Sequence, residues 1–166
     1  LDLINDYGST MVLSWDATSH GYRKASLGTG EYITGHQYSL GDVDDADAPD
    51  MSIANFVATP NRINVSAPNF GGSTPPDISR GQTFRWTAGG GEAVWVILHK
   101  LNAASSGVDQ TVYCIVEDDG SFTVPTSVWS SWQTGRQVNA LVGRVTESGA
   151  SIWYNESEAR IAAITW

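Results

Sequence analysis

Five aspartates, Asp42, Asp44, Asp45, Asp47 and Asp50, fall within nine residues of the chain. Carboxylates at that density repel one another unless water, salt or a cation relieves them, and a hard cation such as Ca²⁺ gathers about 6 to 8 oxygens. The segment is therefore a candidate calcium site, weighed against a solvated acidic loop. It is not an EF-hand, because Asp47 stands sixth from Asp42 where Gly is needed and Ile53 stands twelfth where Glu is needed. A second chemistry is suggested by seven tryptophans and six tyrosines. Flat rings offer an apolar face to a pyranose while their polar edges stay wet. Strand phase assigns Trp15 and Trp86 to the core, the apolar side of a short helical turn adds Trp129, and Trp95, Trp132, Trp153, Tyr154 and Trp166 are left as candidates for a partly exposed, sugar-stacking surface.

Catalytic constellations are harder to find. His20, His36 and His99 form no i, i+2 or i, i+4 pair, so no metal-ligand spacing is readable. Glu117, Asp118 and Asp119 imitate a glycosidase pair, yet Asp119-Gly120 reads as turn chemistry at a hairpin tip. Cys114 is the single cysteine, which removes intrachain disulfides and Cys-x-x-Cys motifs; its phase with Val112 and Val116 places it in the core. A nucleophile elbow, a phosphate-binding Gly loop and a His-Glu-x-x-His helix are all absent from the sequence. The expectation is a protein without catalysis and without a resident cofactor, calcium aside.

These side chains hang on short runs rich in β-branched and aromatic residues, bounded by turn formers. Thr83–Thr87, Ala93–Leu98 and Thr111–Val124 alternate with period 2, the last broken by Asp118-Asp119-Gly120. Earlier strands are expected at Thr10–Trp15, Tyr22–Leu27, Glu31–Thr34, His36–Leu40, Met51–Ala58 and Arg62–Ser66, the last two forming a hairpin about Thr59-Pro60-Asn61. Later strands are expected at Gln137–Thr146, Ser151–Tyr154 and Ala159–Trp166. Pro125 followed by Val128, Trp129 and Trp132 predicts a short helical turn over about 125–133. The Pro- and Gly-rich segment 67–77 cannot continue a strand or helix. It reads either as the linker between two packed β lobes, 1–70 and 78–166, or as a long connection within a single sandwich spanning 1–166.

Charged residues make up 16% of the chain, and 18 acidic against 9 basic residues give a net charge of −9 and a pI near 4.5. Such a field repels phosphate backbones and anionic lipid, so nucleic-acid and membrane-surface binding are disfavoured. The longest apolar run, Ala93–Leu98, is far short of the ~20 residues that span a bilayer. Two lysines, abundant Ser, Thr, Gly and Trp, and a start at Leu1 in place of Met together suggest an exported, processed chain.

The order Arg80-Gly81-Gln82, Phe84-x-Trp86-Thr87, Val94-x-Val96-x-Leu98, Val112-x-Cys114, Asp118-Asp119-Gly120-Ser121-Phe122-Thr123-Val124-Pro125 and Trp129 resembles exported β-sandwich domains of uncharacterised lipoprotein-like proteins from myxobacteria and related Gram-negative bacteria. The resemblance covers about residues 78–166, and only loosely 20–70. It implies an immunoglobulin-like antiparallel β-sandwich in which Cys114 is a core residue and the strand after Gly120 leads into a helical turn capping the core. It brings no catalytic motif. The lipidated cysteine that opens a mature lipoprotein is missing from this sequence. The expected function is a non-catalytic secreted, periplasmic or cell-surface structural or adhesive module that assembles with other protein subunits, including its own copies. The alternatives are a carbohydrate-binding module for cell-surface glycan, with or without calcium, and, third, a small hydrolase.

Overall fold

The computed structural model describes residues 1–19, 21–41, 52–152 and 157–165. In chain order its strands are β1 (Asp2–Asn5), β2 (Thr10–Val12), β3 (Ser14–Asp16), β4 (Gly21–Arg23), β5 (Gln37–Leu40), β6 (Ile53–Ala58), β7 (Val65–Ala67), β8 (Thr83–Trp86), β9 (Ala93–Leu101), β10 (Val108–Val116), β11 (Ser121–Thr123), β12 (Val138–Ile152) and β13 (Ser157–Thr165). Every pairing for which a register is defined is antiparallel. The protein is all-β, and one 3-10 turn, Thr126–Trp129, is the only helical element among the described residues. None of these elements is a helix long and apolar enough to cross a membrane.

The chain forms two compact units, Leu1–Pro60 with Thr146–Ile164 and Asn61–Val145 with Thr165–Trp166. The Pro- and Gly-rich segment 67–77 lies inside the second. In the first unit, β2-β1-β5-β6 form one sheet and β3-β4 a separate ribbon. Leu3, Met11, Tyr38, Leu40, Phe56 and Val57 make its core. Buried polar groups there are satisfied: Tyr38 donates to Glu31 O and accepts from Ile33 N, and Thr59 Oγ1 donates to Ile33 O and accepts from His36 N.

In the second unit β11-β8-β7 form one sheet, and β10 and β9 pair with the first part of β12; β12 runs on into the first unit, to which all of β13 but Thr165 also belongs. The alternation of β9 explains why two layers form. Val94, Val96 and Leu98 are fully buried and meet Phe84, Trp86, Val124 and Trp129 in one cluster, with Val112, Cys114 and Val116 of β10 packed against it. Removing about 25 cal/mol of unfavourable hydration per Å² of apolar surface is what holds these faces together. Cys114 is half-buried in this cluster, in the phase expected of it, and burial pushes its thiol up from its ordinary value.

Several local expectations are overturned. Thr10–Trp15 is two strands broken at Leu13, Glu31–Thr34 is turn, and β1 was not foreseen. Met51–Ala58 and Arg62–Ser66 do not pair: β6 joins β5 while β7 joins β8. Nor is 117–120 a hairpin tip, since β10 pairs with β9 and β11 with β8, so the turn carries the chain between sheets. The helical turn is present but short, built on i to i+3 bonds from Val128 N to Pro125 O and Trp132 N to Trp129 O.

Candidate functional site

Opposite the core, β9, β10 and β12 present the other half of their side chains, and in register these form rows. Tyr113, Ile97 and Leu141 make one row, and Ile115, Trp95 and Gly143 the next. Gly143 has no side chain beside the large Trp95 ring. Tyr113 and Ile115 are each 69% exposed and Leu141 37%, Trp95 and His99 are intermediate, and Ile97 between Tyr113 and Leu141 is 7% exposed. Isolated exposed apolar residues are ordinary, but a contiguous set on one sheet face marks an interaction surface. The apolar surface continues past Leu141 into an opening of about 280 Å³ lined also by Val65 and the 45%-exposed Phe70.

The patch borders an edge. β10 ends its sheet, so among the described residues one side of its nine-residue backbone has no neighbouring strand in that sheet. Natural edges are blunted by charge, proline or bulges. Here the devices sit at one end: the register slips between Val108 and Gln110, and Asp109 reaches the mostly buried Lys100 ammonium at 2.7 Å. From Gln110 to Val116 the edge carries no charge. His99 Nδ1 lies 2.9 Å from Thr111 Oγ1, and its ring meets Tyr113 edge-on.

A second exposed aromatic group stands on the β3-β4 ribbon of the first unit. Trp15 and Tyr22 are direct cross-strand partners, 56% and 40% exposed, with ring centroids 5.3 Å apart at 67°. Beside them Asp16 contacts Arg23 Nε and, through Oδ1, caps Thr18 N at 2.8 Å and Ser19 N at 3.2 Å.

No family model, curated protein or solved structure matches the chain. The chemistry of the sites therefore rests on their residues.

Trp95 lies in this outer face and is partly exposed, as expected. Trp132, expected at the surface, is corrected: it is 7% exposed and packs edge-on to Trp129, with centroids 6.0 Å apart, because the 3-10 turn folds both rings into the core. Trp15, expected in the core, is exposed because β3 leaves the β2-β1-β5-β6 sheet and pairs only with β4 in a separate ribbon. Trp86 and Trp129 are buried as expected. Trp153, Tyr154, Trp166 and the acidic set Asp42, Asp44, Asp45, Asp47 and Asp50 lie outside the described residues. Among the described residues, no three His, Cys, Asp or Glu side chains converge on a metal-sized site.

The strongest electrostatic feature escaped the sequence reading. Arg144 and Asp118 form an ion pair at 2.7 Å with side chains 2% and 4% exposed. Arg144 donates to Asp118 through Nε and Nη2, to Asn61 O and Arg62 O through Nη1, and to Thr87 O through Nη2. Asp118 also accepts from Trp86 Nε1 at 2.8 Å and Gly91 N at 3.2 Å. Burial pushes the Asp118 carboxyl up, but the hydrogen bonds from Arg144 and Trp86 and the adjacent positive charge outweigh it and hold it below the usual range. A carboxylate held ionised with both oxygens occupied ties loops together and is poorly suited to proton donation. Asp119 Oδ1 meanwhile accepts from Ser121 N, and Gly120 takes φ 97°, the turn chemistry expected of that pair.

Proposed function

We propose that this chain is a non-catalytic, immunoglobulin-like β-sandwich module of an exported protein, and that it works by joining copies of itself through the β10 edge and the apolar face beside it. The observation carrying this reading is the uncharged Gln110–Val116 edge with Tyr113 and Ile115 each 69% exposed. Main-chain groups of such an edge gain partners from an added strand, and the flanking rings and aliphatic side chains gain burial. Export is supported by the low lysine content and the acidity.

Light scattering over a concentration series tests it. The mass should rise from 17.8 kDa as concentration increases, and Ile115→Lys, at a site open enough to leave the fold intact, should hold it there. A wild-type mass fixed at 17.8 kDa up to about 1 mM, where even weak pairs form, would discard the reading.

The Trp15–Tyr22 pair favours a second reading, carbohydrate binding by exposed rings, at a place other than the surface expected from sequence.

A further inference from the structure

The β3-β4 ribbon borders an open cleft of about 660 Å³, within the usual range of small-ligand sites. Its lining combines three features. Trp15 lines it with a large exposed ring, and the edge contact from Tyr22 limits the ring's freedom before anything binds. Asp16 is fixed by the two backbone N–H groups it caps and by Arg23. Arg23 is held through Nε, its side chain is 68% exposed, and its Nη groups make no hydrogen bond among the described residues. The cleft therefore offers an apolar plane with a carboxylate acceptor and guanidinium donors side by side.

We propose that this cleft binds a neutral hexopyranose, the apolar face of the sugar lying on Trp15 and two vicinal hydroxyls bridging Asp16 and Arg23. A hydroxyl both donates and accepts, so adjacent hydroxyls match an adjacent carboxylate and guanidinium. Charge selects against anions. Arg23 already faces Asp16, and Lys24 faces Glu31 at 2.6 Å, so the cleft has no surplus positive charge in a chain of net charge −9. A nucleotide or uronate would meet that field, and a neutral sugar would not. This site rests on the second reading above and is independent of assembly through β10.

The test is calorimetric titration of the intact chain with four neutral probes, cellohexaose, maltohexaose, mannohexaose and galactohexaose, and with polygalacturonate as the anionic comparator. At least one neutral probe should bind saturably. Trp15→Ala should weaken it at least about tenfold, and Arg23→Gln several-fold, as expected for an aromatic anchor and its polar partner. Tyr7→Ala, which removes another exposed ring of the same unit, should leave binding unchanged. Ile115→Lys separates this proposal from assembly, since it should abolish self-association and leave saccharide binding intact. Failure of all four neutral probes up to about 10 mM, tighter binding of polygalacturonate, or a Trp15→Ala chain that binds as well as wild type would overturn the proposal.

Discussion

Arg144 uses every N–H of its guanidinium inside the second unit, and that makes the Asp118 pair a test of how the unit is held together. Removing one partner leaves an uncompensated buried charge, so Arg144→Met should lower stability by about 3 to 5 kcal/mol, read by urea unfolding through tryptophan fluorescence. Replacing both partners with apolar residues should not restore it, because three carbonyls and the Trp86 and Gly91 donors would stay orphaned. The pair also sets an acid limit. The folded carboxyl lies below its unfolded value of 3.8, so its contribution is complete above that pH and is lost as pH falls through the folded value. An Asp118→Asn chain, already weaker at neutral pH, should lack this component of the acid-induced loss, and a parallel acid profile for the two chains would contradict the assignment. One signal of the pair was readable in sequence: Val138, Ala140, Val142 and Arg144 share one phase, and an arginine in a core phase demands a carboxylate. Its partner could not be read, since 26 residues and a change of sheet separate the two. Trp15 misled for a different reason: it keeps the phase of Met11 and Leu13, which face the core, but its strand belongs to a separate ribbon, and alternation alone does not say which sheet a strand joins.

At the scale of strands, alternation made β8, β9, β10 and the start of β12 legible, because Val94, Val96 and Leu98 of β9 are buried while Trp95 and His99 between and beside them are partly exposed, although Ile97 is buried out of phase and the charged Lys100 is buried too. Partner choice was not legible. The turns at 59–61 and 117–120 have the composition of hairpin tips, yet both lead to strands in different sheets, a decision taken by long-range burial and not by turn chemistry. β10 adds a consequence. Asp109 is its only charge, half-exposed, and it both neutralises Lys100 and guards the edge. Asp109→Asn should therefore cost about 1 kcal/mol, a modest figure because the carboxylate is partly solvated. It should also raise the weight-average mass by light scattering at a given concentration. A less associated variant would show that Asp109 does not restrain the edge.

For the molecule as a whole, a net charge of −9 opposes any contact between copies, whereas the patch containing Trp95, Tyr113 and Ile115 favours one. The two terms respond oppositely to solution conditions. Repulsion is screened within about 8 Å at physiological salt and disappears near the pI of 4.5, while apolar burial is little affected by screening and is strengthened by excluded salts such as sulfate. Association through the β10 face should thus increase from low to moderate sodium chloride at pH 7, and increase again as pH approaches 4.5, a range still above the acid limit set by Asp118. Sedimentation velocity at matched protein concentration measures both trends. If added salt instead separates the copies, complementary charges hold them, and the uncharged edge cannot be the contact. If salt and pH act as expected but Ile115→Lys associates like wild type, the contact is apolar and lies on another surface.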